Sequence, residues 1–377
     1  MSDPALCGDD AFRALRAIAE RFDLGGPISG IEPLGNGNVN DTYLVRLGEL
    51  ERPAVVLQRV NTVVFTDPEA VMANLVAFSE HVARRLLEPP RELAGRRWEV
   101  PRVFLACADG LPWVWEGSSF WRALGFVERA HSLERIGHSG HAREIGFGLG
   151  MFHQLISDLP VENLADTLEG FHVTPTYLRQ FDQVLGRLGA STDPELSDCL
   201  AFVEQRRGLV PVLEQARAGG LLRQRPIHGD PKINNVMLDL EGDRAVALID
   251  LDTVKPGLIH YDIGDCLRSA CNPLGEDTED WRQVQFDLGL CEALLGGYGS
   301  VARSFLTPAD YDHIVVAIEV ISFELGLRFL TDHLAGDVYF KTRYRGHNLL
   351  RARVQFQLTR SIEAQHAAIE AVVATIR

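Results

Sequence analysis

Between His228 and Asp252 the chain reads HGDPKINNVMLDLEGDRAVALIDLD, a stretch whose polar residues have types and spacing suited to chemistry on a phosphate. Transfer of a phosphoryl group from a nucleotide needs a carboxylate to orient and deprotonate the attacking hydroxyl. It also needs oxygen ligands that hold Mg²⁺ against the phosphates. Asp230 can serve as the base, and Asn235 with Asp250, fifteen residues further on, can serve as the metal ligands. Lys232, two residues past Asp230, is placed to offset charge building on the group in flight. Asp-Gly and Asn-Asn pairs are also ordinary turn chemistry, so each residue alone carries little. The set carries more: a His-x-Asp-x4-Asn loop, a tight hairpin over Glu241-Gly242-Asp243, then Ile249-Asp250 at a strand end.

Such a loop must be held between a sheet and a helical body, and the chain supplies both. Ile31 to Leu34 reads as a strand running into Gly35-Asn36-Gly37-Asn38-Val39-Asn40, with Asp41 to Leu47 returning. Gly35 and Gly37 in that turn would let backbone N–H groups approach phosphates without a Cβ in the way. Ala54 to Val60 reads as a third strand, and Val103 to Cys107, Leu111 to Trp115 and Phe120 to Phe126 as three more. Asp67 and Pro68 open a helix running to Leu87, in which Glu69 or Glu80 could meet a basic strand residue. From His141 the pattern turns helical: Ile145, Leu149, Phe152 and Ile156 mark one buried face, beside which His153 reads as a core histidine. Further helices are expected over Pro175 to Leu188, Pro194 to Ala218, Trp281 to Leu295, Pro308 to His333 and from His347 onward. In the helix from Pro308, Ile314, Ile318, Ile321 and Leu325 form a stripe whose spacing continues to Arg328 and Asp332. An arginine on a core-facing stripe needs a partner, since a buried unpaired charge costs several kcal/mol, so Arg328 either pairs with Asp332 or meets a substrate.

Together, IEPLGNGNVNDTYLV, VLQRVNT, HGDPKINNVML, IDLDTVKPG, LRFLTDHLAGDVYF and HNLLRARVQ resemble the aminoglycoside phosphotransferase and choline kinase group, and within it the N-acetylhexosamine 1-kinases of bacterial sugar salvage. The resemblance runs from about Ile31 to about Arg360. It implies an α+β, two-lobed protein-kinase-like fold: a small antiparallel-sheet lobe over residues 1–127 that binds nucleotide, and a larger, mainly helical lobe over 128–377. It implies ATP and Mg²⁺ as cofactors, and phosphorylation of N-acetylglucosamine or N-acetylgalactosamine at the anomeric oxygen. Another small alcohol is the alternative acceptor, and a nucleotide-binding pseudokinase the rival from a different class. The segment Val127 to Ser132, with Glu128, would then join the lobes and meet the adenine edge. Arg328 and Tyr339 match positions that hold the hexosamine, with Asn38 and Asp332 as weaker pocket candidates. A protein kinase carries a phosphate-contacting lysine on its third strand. This chain has no lysine before residue 232, which leaves Gln58 or Arg59. Neighbouring strand residues face opposite ways, so only one can enter the cleft, and Arg59 is expected because it brings a charge.

Composition narrows the partners. A net charge of −15 speaks against nucleic acid or an anionic membrane surface, both of which need a basic footprint. Only three of the 37 basic residues are lysine. The six cysteines form no Cys-x2-Cys pair, so reduced structural thiols are expected and zinc is not. The N-terminal MSDPALCGDD lacks the basic and apolar regions of a signal peptide, and Glu319 and Glu324 interrupt the most apolar helix. A cytoplasmic enzyme acting on small molecules, as a monomer or weak dimer, is the expectation.

Overall fold

The structure is a computed structural model that describes residues 9–35, 39–48, 55–187 and 194–377. Strands Ile28–Pro33 (β1), Asp41–Leu47 (β2), Val55–Val60 (β3), Val114–Glu116 (β4) and Ser119–Gly125 (β5) form one antiparallel sheet in the order β1-β2-β3-β5-β4. Strand alternation divides its faces. Val55, Leu57, Val45 and Ala123 bury one face in a cluster with Ala19, at the end of helix Asp9–Ala19 (α1). The opposite face carries Gln58 and Arg122, with Val60 and Phe120 merging into the large core. The expected strand over Val103 to Cys107 is reduced to two isolated bridges, Val103 with Leu124 and Ala106 with Phe22. This segment divides its pairing between two partners, so no continuous ladder forms.

Helix Pro68–Arg85 (α2) starts where Asp67 accepts the Ala70 N–H at 3.0 Å and Pro68 fills the first turn. Its buried face, Val71, Met72, Leu75, Phe78 and Val82, belongs to the same core as Ser139–Leu155 (α3), and the Phe78 and Phe152 rings stack at 5.2 Å. The sheet is thereby fastened to the helical body. That body contains Thr174–Leu185 (α4), Pro194–Gln205 (α5), Val212–Ala218 (α6), Ile259–Ala270 (α7), Leu288–Ala302 (α8), Pro308–Asp312 (α9), Ile314–Ala335 (α10), His347–Ala364 (α11) and His366–Ile376 (α12). Helices α3 and α8 cross at backbone contact: a Cβ at Gly146 would strike the Leu294 carbonyl, and one at Gly297 the Arg143 carbonyl.

Four expected helices are broken. Trp281 to Leu295 gives a single 3-10 turn over Trp281–Gln283 before α8, and the stretch from His347 divides at Gln365 into α11 and α12. Pro194 to Ala218 divides after Gln205, where Pro211 restarts the chain as α6. Pro308 to His333 divides at His313, with α9 opened by a Thr307–Asp310 capping box and α10 ended by Gly336 at φ +96°. No helix among the described residues is long and apolar enough to cross a membrane.

Two small sheets bracket the polar loop. Arg225–Ile227 (β7) leads in and pairs with Lys255–Gly257 (β10), which leads out. Between them, Val236–Asp239 (β8) and Ala245–Leu248 (β9) form the expected hairpin, with Ala130–His131 (β6) added along β8.

Candidate active site

The loop from His228 to Asn235 is held by its backbone. The buried Asp262 carboxylate accepts the N–H groups of His228 at 2.6 Å and Gly229 at 2.8 Å, and is itself bonded to His153 at 2.9 Å. His153 meets the Tyr298 hydroxyl at 3.0 Å through its other nitrogen, so it is a satisfied core histidine. His228 bridges the stretch: Nε2 faces the Ile249 carbonyl at 3.0 Å and Nδ1 accepts the Asp230 N–H at 3.3 Å. Those roles require neutral imidazole, and burial accordingly lowers its pKa. Gly229 has φ +86°, and a Cβ there would lie 2.7 Å from the Thr253 carbonyl, so the tight turn before Asp230 requires glycine.

These constraints bring Asp230, Lys232, Asn235 and Asp250 together. Asp230 remains 29% exposed, with the Lys232 ammonium 2.7 Å from Oδ2. Asn235 donates to the Asp230 carbonyl at 2.8 Å, and among the described residues its own side-chain oxygen accepts no hydrogen bond. The Ile249 N–H bonds to the Asn235 carbonyl at 2.9 Å and so sets Asp250 beside it. Burial opposes the Lys232 charge, but Asp230 outweighs it and raises the ammonium pKa. Asp250 adopts φ +62°, and among the described residues its carboxylate accepts no hydrogen bond. Although Asp250 is itself exposed, protein packed around its carboxyl, then the charges of Asp252 and Asp230, push its pKa up to about 7. Negative charge here exceeds what Lys232 and Arg122 balance. An all-oxygen pair, Asn235 and Asp250, short of positive charge, fits a hard divalent cation.

On the sheet the structure corrects the choice of Arg59. That side chain lies on the same face as Val55 and Leu57, 47% exposed and ion-paired with Asp41. Gln58 is the residue turned toward the loop, and its amide oxygen accepts from Arg122 Nε at 2.9 Å and from a terminal nitrogen at 2.7 Å. Arg122, on β5 and 2% exposed, ion-pairs with the buried Asp252. Asn40 donates to the other oxygen of Asp252 at 2.7 Å. Arg122 from the sheet and Asn40, just ahead of β2, therefore grip the segment beside Asp250. On α2, Glu69 takes the Trp115 N–H at 3.1 Å, and among the described residues neither it nor Glu80 pairs with a strand arginine. Gly35 has φ +68°, whereas Gly37 and Asn38 lie outside the described residues. Glu128 gives its carbonyl to Arg97 at 3.0 Å, beside an apolar patch of Val127, Met237, Val246 and Ala247.

On α10 the Arg328 guanidinium is ringed by Phe171, Tyr177 and Phe340, at 5.2, 4.9 and 5.5 Å from their centroids. Among the described residues it has no carboxylate partner. Asp332, expected as that partner or as a pocket residue, is engaged elsewhere: it accepts the N–H groups of Val338, Tyr339 and Phe340 at 2.8–2.9 Å and the Asn348 amide at 2.9 Å. The chain reverses at Gly336 and brings those amides back onto the last turn of the helix. Tyr339 is 64% exposed, its ring 4.8 Å from that of Phe340. One turn before Arg328, Glu324 bonds His172 at 2.9 Å and Thr174 at 2.6 Å, and His172 Nε2 meets the Gly229 carbonyl at 2.8 Å. Burial opposes a charge on His172, but Glu324 prevails and raises its pKa. Arg122, Asp252, Asp262, His172 and Glu324 were not singled out by sequence, because each acts across elements far apart in the chain.

A second polar cluster joins His138, His141 and Asp243, with ligand atoms within 4.8 Å of one another. In both rings Nδ1 accepts a backbone N–H, from Gly140 at 3.1 Å and Gly137 at 3.3 Å, which assigns the proton to Nε2. That tautomer offers a cation no lone pair, so the cluster does not suit a metal.

A family model described as the phosphotransferase enzyme family, APH, matches residues 30–302. Among solved structures, the chain is similar to a microcompartment-associated aminopropanol kinase at 17% identity and TM-score 0.61, covering 95% of this chain and 98% of that one. It is similar to an aminoglycoside phosphotransferase from Alicyclobacillus acidocaldarius at 16% identity and TM-score 0.58, covering 99% and 98%. A choline kinase from Cryptosporidium parvum matches at 14% identity and TM-score 0.58, covering 96% and 97%. At these identities the likeness is one of fold.

Proposed function

The chain belongs to the APH phosphotransferase enzyme family, and from that premise we propose that it transfers the γ-phosphoryl group of ATP to the anomeric hydroxyl of an N-acetylhexosamine, giving the sugar 1-phosphate. In this reading residues 1–127 carry the nucleotide and 128–377 carry catalysis and the acceptor. Asp230 takes the proton of the attacking hydroxyl, and the hydroxyl oxygen displaces ADP at phosphorus. Lys232, already 2.7 Å from that carboxylate, shares its charge with the phosphoryl oxygens. Asn235 and Asp250 would hold Mg²⁺, which offsets phosphate charge when bound. Gly35 and Gly37 approach the phosphates, and the Glu128 segment with its apolar patch receives the adenine. The enzyme acts in the cytoplasm as a monomer or weak dimer, without nucleic acid or membrane.

The choice of a neutral sugar rests chiefly on Arg328. Glu324 is taken by His172 and Thr174, and Asp265 by Arg268, so the charge of Arg328 is left for the acceptor. A guanidinium there donates directional hydrogen bonds to ring hydroxyls, with Tyr339 closing over the ring, and repels an amino-alcohol cation. The rings around Arg328 support the second reading, a kinase for another small alcohol, because they would cage an ammonium if Arg328 swung aside. Incubation with ATP, Mg²⁺ and a panel of hexosamines and amino alcohols, reading ADP release, separates the two. ADP release with N-acetylglucosamine or N-acetylgalactosamine supports the sugar; release with choline or aminopropanol alone refutes it.

A further inference from the structure

We propose that His172 is a positioning residue that couples acceptor contact at Arg328 to the orientation of the peptide preceding Asp230. The inference rests on the reading that Arg328 faces the acceptor, whichever alcohol that is. The polypeptide reaches Asp230 through the Gly229–Asp230 peptide, whose two polar groups are fixed from different directions. Its N–H goes to His228, inside the loop, at 3.3 Å. Its carbonyl goes to His172, outside the loop, at 2.8 Å. Asp262 fixes the preceding amides, and among the described residues His172 is the one side chain bonded to the carbonyl.

The other nitrogen of His172 is tied to the acceptor helix through Glu324 at 2.9 Å. Glu324 and Arg328 lie one turn apart on the same side of α10, and the residue next to His172, Phe171, puts its ring 5.2 Å from the Arg328 guanidinium. Two adjacent residues thus touch both ends: Phe171 the acceptor arginine, His172 the base-bearing peptide. His172 holds this bridge with φ +62°, a left-handed conformation uncommon outside glycine, in which asparagine, aspartate and histidine are the side chains most often found. In that conformation the ring spans from Glu324 at 2.9 Å to the Gly229 carbonyl at 2.8 Å. An acceptor that draws Arg328 into position moves Phe171 and α10 together and so adjusts the Asp230 approach by fractions of an ångström, a scale that catalytic rates register.

The test is a double-mutant cycle on the full chain, with the acceptor that turns over fastest. His172→Asn tolerates the left-handed backbone and keeps one donor, while Glu324→Gln keeps shape and an acceptor oxygen. The expectation for His172→Asn is a kcat lower by about 10- to 100-fold, with ATP KM changed less than about threefold. Glu324→Gln, which keeps an acceptor for the His172 ring, should lower kcat less than His172→Asn does. Combined with Arg328→Lys, His172→Asn should add little beyond the poorer single variant. Losses that multiply in the double variant, or a His172→Asn defect confined to ATP KM, overturn the coupling. If His172→Asn fails to fold, the Glu324→Ala and Arg328→Lys pair, in which Glu324→Ala removes the contact to His172, runs the same cycle. Choice of an amino alcohol over a sugar would refute the proposed substrate and leave this cycle unaffected.

Discussion

The sheet face and the catalytic loop each place a cation against carboxylates, and they do so in opposite ways. Arg122 and Asp252 are sealed at 2% and 3% exposure, with Gln58 accepting from Arg122 and Asn40 donating to Asp252. Lys232 and Asp230 are about one-third exposed, and Asp250 beside them accepts nothing from the described residues. A sealed pair that loses one member leaves a buried charge, so it fixes geometry. An open pair can exchange partners, so it is available for chemistry. The sheet therefore anchors the segment next to Asp250 while the loop keeps its charges free for nucleotide and acceptor.

The largest expected effect breaks the open side. Asp230→Asn should lower kcat by about 100- to 10,000-fold, the usual value of a positioned proton acceptor, with melting temperature almost unchanged. Turnover close to that of the parent enzyme would remove Asp230 as the base. Breaking the sealed side should do the reverse. Arg122→Ala should cost about 3–5 kcal/mol of unfolding stability in denaturant titration, since Asp252 is left buried without its cation. A variant as stable as the parent would mean that water or Asn40 satisfies Asp252 unaided.

A subtler test sharpens the contrast through pH. The Asp250 carboxyl is raised from 3.8 to about 7, chiefly by crowding and then by Asp252 and Asp230. Between those values the native state holds a proton that the unfolded chain has lost. Its contribution is therefore full below the unfolded pKa and is lost as pH rises through about 7. In metal-free protein, Asp250→Asn should accordingly raise the melting temperature more at pH 8 than at pH 5, and Mg²⁺ with nucleotide should close that gap. An equal shift at both pH values would deny the crowding. The smallest effect belongs to Arg59→Ala: an exposed pair with Asp41 is worth no more than about 1 kcal/mol, and ATP KM should change less than about twofold. A strong rise in ATP KM would return the phosphate contact to Arg59.

These contrasts also explain what was legible in the sequence. Asp230, Lys232 and Asn235 lie within six residues, where spacing nearly determines geometry, and the β8–β9 hairpin returns Asp250 to them. Most of the individual strands and helices were legible for a similar reason, since their periods are local, whereas their two-lobed arrangement was implied by the resemblance to the kinase group. Arg122 was not, because its place depends on the register that sets it opposite Gln58, 64 residues away, and against Asp252 in another element. Arg59 looked better because charge was weighed without knowing which face of β3 turns inward. Asp332 looked like the partner of Arg328 from helical spacing, but the reversal at Gly336 delivers three backbone amides that occupy it first. His172 and Glu324 are 152 residues apart, and nothing in either neighbourhood announces the other.

The central claim is that Asp230 directs a phosphoryl group onto the anomeric oxygen of a hexosamine presented by Arg328. Incubating the enzyme with ATP, Mg²⁺ and uniformly ¹³C-labelled N-acetylhexosamine, then recording phosphorus–carbon coupling in the product, tests it directly. The account predicts coupling of phosphorus to C1 and C2, with product formation lost in Asp230→Asn. Coupling to C6 and C5 in place of C1, or a phosphorylated amino alcohol with the sugar untouched, would contradict it.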